Sequence, residues 1–169
     1  MSLTKTLSNS ISNMLSRGAV TLTNAAGKLQ TLQISLLANE AKDAVEHLEP
    51  YGYTSHPLPG AEVLAAFIDG DRSHGVIISA SDRRYRVQAL LPGEVAIYTH
   101  EGDSIILKNG HVIQMTTQTL TINATTKVEM NTPLLQITGG DVKADTISLK
   151  HHRNKDVTVG IGISGEPAI

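Results

Sequence analysis

The chain contains no cysteine and no tryptophan, and only one phenylalanine and four tyrosines among its 169 residues. Without cysteine there is no disulfide framework and no thiolate metal site, and nothing conflicts with a reducing compartment. Aromatics carry the largest buried areas of ordinary globular cores. Their scarcity, against a hydrophobic fraction of 40%, points to thin, repetitive packing by Val, Ile, Leu and Thr. Charge of one sign is also missing: the formal net charge of −2 gives nucleic acid no electrostatic footing. No apolar run approaches the roughly 18 residues of a membrane-spanning helix. The first residues carry Lys5 but no apolar core, so they do not read as a secretory signal.

What is present is a pattern. From residue 105 to 149 apolar pairs recur at i and i+2: Ile105/Leu107, Ile113/Met115, Leu120/Ile122, Val128/Met130, Leu135/Ile137, Val142/Ala144 and Ile147/Leu149. Alternation at period two puts each pair on one face of a short strand. The pairs fall roughly seven or eight residues apart, and Thr, Asn, Gln and Gly between them suit corners. Two inward side chains per strand are too few for a core. The segment is expected to wind and stack against copies of itself.

Ahead of this ladder, Leu3, Leu7, Ile11, Met14 and Leu15 recur at helical spacing, and Gly18 follows as a stop, which predicts a short helix over residues 2–17. It could pack on its own domain or meet a neighbouring subunit or adapter. Longer strands follow: a pair around a turn at residues 24–27, a strand before the Pro/Gly-rich stretch 48–60, and a pair around Asp69–Gly70. About five strands without an interior helix predict a small OB-like barrel. Pro92 and Gly93 mark the change to short strands, and residues 157–163 alternate once more before Gly165 and Pro167, as a terminal cap would. The domains read as 1–18 helix, 19–92 barrel, 93–150 ladder and 151–169 tip.

Few residues suggest chemistry. Asp69, Asp71, Arg72 and His74 sit together, but no nucleophile or oxyanion-hole motif accompanies them, and Asp–Gly is ordinary hairpin chemistry. The run Asp82-Arg83-Arg84-Tyr85-Arg86 is a solvated face or a subunit contact. Glu101, Asp103 and Asp141 are isolated acids with no calcium-loop spacing. His151 and His152 adjoin Asp156 near the C-terminal end. Neighbours on a strand face opposite ways unless a bulge intervenes, and continuing the parity of Ile147 and Leu149 points His151 inward.

The runs PYGYTSHPLPGAEVLAAFIDGDRSHGVIISASDRRYR (50–86) and GEVAIYTHEGDSIILKNG (93–110) resemble the Mu-type baseplate spike, or baseplate assembly protein V, family. The resemblance implies a non-enzymatic homotrimer: an OB-fold collar, then an intertwined triple-stranded β-helix needle ending in an apex. It implies a place in the virion, at the centre of a contractile-tail baseplate under the tail-tube hub proteins. It also implies transient passage through the host outer membrane when the tail contracts. Family members often hold an apical iron through an H-x-H motif from all three chains, and some a calcium ion. Here the motif would fall on residues 152–154, where Asn154 replaces the second histidine; this alignment favours His152 over His151. The alternative within the same shape is a trimeric β-helix enzyme that cleaves surface polysaccharide, which would need two carboxylates placed across a bond.

Overall fold

The computed structural model describes residues 14–37 and 40–151. They form ten strands in two compact units, one ending at Leu120 and the other starting at Thr121.

The first unit begins with a closed barrel built from β1 (Leu15–Asn24), β2 (Thr31–Leu36), β3 (Ala41–His47), β4 (Glu62–Phe67) and β5 (Gly75–Ser81). The strand order is β1-β2-β3-β5-β4, and β4 returns to β1, as the OB-like expectation requires. All pairings are antiparallel except β3 with β5. Strict alternation explains which side faces in. In β2, Leu32, Ile34 and Leu36 are buried while Thr31, Gln33 and Ser35 are not; β4 repeats the pattern with Val63, Ala65 and Phe67. With Val20, Val45, Ala61 and Ile77 these make the core. Register slips at Val20/Leu22, Leu32/Ile34 and Leu64/Ala65 bend the strands enough for so few to close.

The predicted N-terminal helix needs correction. Residues 15–17 are the start of β1, not the end of a helix: Leu15, Ser16 and Arg17 pair with Ala66, Ala65 and Leu64. Closing the barrel supplies these residues with ladder hydrogen bonds, and that gain overrides a helical spacing of apolar side chains. The rest of that helix, residues 1–13, lies outside the described residues. No α-helix occurs among the described residues; a 3-10 turn at Ile68–Gly70 joins β4 toward β5.

One polar pair is buried in the barrel wall. His47 is 5% exposed and Gln30 is 8% exposed. His47 Nδ1 donates to Gln30 Oε1 at 2.9 Å, and Gln30 Nε2 donates to the Ser55 carbonyl at 2.7 Å. The pair therefore ties the base of the 48–60 loop to β3. Gln30→Leu is expected to destabilise the barrel by about 1–3 kcal/mol, because it leaves the buried imidazole unsatisfied. Urea denaturation checks this, and an unchanged midpoint would show that water replaces Gln30 freely.

Candidate functional site

After the barrel the first unit continues into a three-stranded antiparallel sheet of β6 (Val95–Tyr98), β7 (Ser104–Lys108) and β8 (Val112–Thr116). Its turns are locally specified. Thr99 N–H donates to the Asp103 carbonyl at 3.0 Å, closing the β6–β7 turn. The β7–β8 turn places Gly110 at φ 77° and His111 at φ 63°, the left-handed region that such tight hairpins require. Glu94 braces the entry to the sheet. Its carboxylate accepts the Leu91 N–H at 2.9 Å and the Asn109 N–H at 3.2 Å, and those two bonds hold it below the ordinary carboxylate value.

The register collects apolar side chains onto one face. Val95 lies opposite Leu107, Ile97 opposite Ile105, Ile105 opposite Met115, and Leu107 opposite Ile113. Directly opposed residues share a face, so these six form one apolar surface. None is buried within the single chain: Ile105 is the most covered at 36% exposed and Ile113 the least at 65%. A half-buried antiparallel sheet normally turns such a face onto a core.

The second unit is more extreme. Its strands are β9 (Lys143–Ala144) and β10 (Ile147–Ser148), joined by a hairpin whose Asp145 has φ 53°. Leu149 N–H donates to the Val142 carbonyl at 2.7 Å, so Val142 and Leu149 bracket the hairpin. Residues 121–142 have no strand within one chain. Every described residue of this unit except Ser148 is exposed, Ile122, Val128, Met130, Leu135 and Ile137 included. A segment that buries nothing cannot offset the entropy of holding one shape. Exposed apolar side chains in such number mark an interaction surface.

The residues singled out in the sequence fall as follows. His151 is exposed, in a turn after β10, with its backbone N–H donating to Ser148 Oγ at 2.8 Å. The strand alternation that would carry parity from Leu149 to His151 therefore stops at Ser148 within the single chain. His152 and Asp156 lie outside the described residues. Among the isolated acids, Asp103 accepts from Thr99 Oγ1 at the β6–β7 turn and Asp141 accepts the Lys150 N–H across the β9–β10 hairpin. In the 69–74 turn, Asp71 accepts from Ser73 N–H and Oγ, and His74 lies 3.6 Å from Asp71. Arg72 instead reaches Glu40 with paired bonds at 3.1 Å and 2.5 Å, and sits 4.7 Å over the Phe67 ring. The 69–74 turn is thus braced through Arg72 to Glu40, in the connection between β2 and β3.

In the arginine run, Arg83 and Arg17 both pair with Glu62, and Arg84 pairs with Asp82. Sequence reading missed the partners Glu40, Glu62 and Gln30, because each lies 17 to 45 residues from the groups it holds. The hydrogen bond from Arg72, then that from Lys42, lowers the Glu40 carboxyl from its ordinary 4.5. Arg83 first, and Arg17 after it, does the same for Glu62, and Arg84 lowers Asp82 from 3.8. A depressed carboxylate contributes stability that is present above its unfolded value and is lost as pH falls through its folded value. The barrel is expected to melt at a constant temperature near neutrality and at progressively lower temperature below about pH 4.5. Arg72→Ala should flatten that acid limb; a pH series of thermal melts identical for both proteins would remove Glu40 from the account.

Residues 17–84, which run from β1 past the end of β5, match the family described as Bacteriophage Mu Gp45, N-terminal. The chain is 42% identical over 127 residues to the baseplate puncturing device gp45 of Escherichia phage Mu, covering 75% of this chain and 64% of that protein. It therefore spans just under two thirds of the length of that relative. It is 29% identical over 160 residues to the Mu-like prophage FluMu protein gp45 of Haemophilus influenzae, covering 90% of this chain and 84% of that protein.

Proposed function

We propose that this chain, whose residues 17–84 match the family described as Bacteriophage Mu Gp45, N-terminal, is the central spike of a contractile-tail baseplate in the virion, a structural protein and not an enzyme. The observation that carries this reading is the open apolar ladder of residues 95–149. Three copies intertwining there, as a triple-stranded β-helix, turn the i, i+2 apolar pairs of the ladder toward a common axis. Backbone groups that find no ladder within one chain find partners on the other two. At about 25 cal/mol per Å² of apolar surface removed from water, the burial multiplies over three chains and makes folding and assembly one event.

Function then follows from stiffness. A closed ladder of hydrogen bonds around a filled axis resists bending, so thrust from a contracting tail passes along it into the host outer membrane. The barrels form the collar that meets other baseplate and tail-tube hub proteins.

At the apex, the proposal gives one imidazole per chain, from His151 or His152, to an iron ion, with Asp156 as the accompanying acid. His151 is exposed and free to be brought together with its copies, and imidazole nitrogen suits iron, nickel or zinc. Calcium prefers an all-oxygen set, for which Asp156 is the acid available. A metal there would link three chain ends, and its binding energy would become assembly energy.

Light scattering on the purified chain tests the reading: the expected mass is three times that of one chain, and a compact single-chain particle would end it. Metal analysis of the same sample should return iron, reduced in His151→Ala or in His152→Ala. An iron-free wild type would remove the metal and leave the spike.

A further inference from the structure

The β7–β8 turn carries chemistry that the spike reading leaves unused. Asn109 there is the only asparagine of the chain followed by glycine. Asn109, Gly110 and His111 are all exposed. A Cβ added at Gly110 would meet nothing within 4 Å, so the turn is open around it. The Gly110 N–H donates to no group among the described residues. The Asn109 side chain is loosely held: its Nδ2 donates to the Pro92 carbonyl at 3.4 Å, longer than an ordinary bond of that kind. Asn24 is held more firmly, its Oδ1 accepting the Ala26 N–H at 3.1 Å. Ala25, Ala124 and Thr132 follow Asn24, Asn123 and Asn131, and each has a Cβ beside its own backbone nitrogen, which glycine lacks.

We propose that Asn109 is a site of self-modification, at which the Gly110 backbone nitrogen attacks the Asn109 side-chain carbonyl and expels ammonia. The nitrogen gives its proton to solvent base, and the departing amide takes one from water. A five-membered imide remains, linking Asn109 Cγ to Gly110 N. Water then adds to one of the two imide carbonyls and opens the ring. Opening at the side-chain carbonyl leaves aspartate; opening at the main-chain carbonyl leaves isoaspartate. Water is the only reagent consumed and ammonia the only group lost. The product falls at the entry to the sheet, where the Glu94 carboxylate accepts the Leu91 and Asn109 N–H groups. Either product sets a second carboxylate near that of Glu94 and removes the donor to the Pro92 carbonyl. Like charges sharing a site repel. Isoaspartate also lengthens the main chain by one atom inside a tight turn. The inference does not depend on the trimer.

The test ages the full chain in mildly alkaline buffer and follows each asparagine by peptide mass spectrometry. Asn109 is expected to gain the mass difference between amide and acid about tenfold or more faster than Asn24, Asn123 and Asn131, because only glycine leaves the attacking nitrogen unshielded. Enzymatic methylation of isoaspartate should label the same peptide. Asn109→Gln, which would have to close a six-membered ring, should abolish that label. A sample unfolded in urea reads the chemistry without the fold, and the folded chain is expected to react within about tenfold of it, since the turn is already open. Stronger protection at Asn109, or conversion no faster than at the other three asparagines, overturns the proposal. Asn109→Asp reads the consequence: hydrogen exchange at the Leu91 amide should rise about threefold or more while the core amide of Ile34 is unchanged. Unaltered exchange at Leu91 would overturn the effect on Glu94. Light scattering on the unaged chain reads the trimer separately, so loss of one proposal is not loss of the other.

Discussion

Ile122→Asp is expected to abolish self-assembly. In the single chain Ile122 is 60% exposed and belongs to a unit whose described residues bury essentially nothing. In the proposed needle the same side chain turns to the axis and meets its two copies. The substitution removes three apolar contacts and brings three carboxylates into a space without water. Burying one unpaired charge is already prohibitive, and like charges at one site raise the penalty further. Met130→Asp should act in the same way one strand along. Light scattering should show neither trimer nor a folded single chain, because the ladder has no core of its own to fall back on. A well-formed trimer in Ile122→Asp would move that residue off the axis. A stable, soluble monomer would refute the larger idea that folding and assembly are one event.

Phe67→Ala is expected to cost the barrel about 3–5 kcal/mol, as for other buried aromatics cut to alanine. That is a large part of the roughly 5–15 kcal/mol by which most domains are stable. Phe67 is the only phenylalanine of the chain and is 1% exposed at the end of β4. The ring lies against Gly75 at the start of β5: a Cβ there would come within 2.7 Å of its Cε1. Its outer face carries the Arg72 guanidinium at 4.7 Å, so truncation also loosens the Glu40–Arg72 brace. In a chain this poor in aromatics no neighbouring ring can fill the hole. Thermal or urea unfolding of the barrel should report the loss, with Phe67→Leu much milder. Gly75→Ala should destabilise through the same contact from the opposite side. A Phe67→Ala melt close to the wild type would mean that the core collapses to fill the space.

These two sites differ in how far the sequence revealed them. Ile122 and Met130 were readable as apolar residues at strand spacing and are exposed in the single chain, but residues 121–142 form no strand there. The same local rule yielded β2 and β4, the turns at 24–27 and around Asp69–Gly70, and the pairs Ile105/Leu107 and Ile113/Met115, which the sheet register sets opposite each other. The OB-like barrel was likewise legible from strand count and length.

Tertiary structure decided the rest. Leu3, Leu7, Ile11, Met14 and Leu15 fit a helical period, yet Leu15 is strand, because its partner Ala66 lies fifty-one residues away and offers a ladder that periodicity cannot see. Phe67 was one apolar residue in an apolar run until β5 brought Gly75 against it. His47, one of seven histidines in the chain, has nothing in its own neighbourhood to mark it, and its partner Gln30 meets it only inside the wall. Glu40 gave no signal at all before the 69–74 turn carried Arg72 to it. Alternation along a strand is written in neighbouring residues, so the chain by itself determined its strands and its uncovered ladder. Barrel closure, the buried pair and the ion braces are contacts between distant segments, and only the folded chain brings those segments within reach.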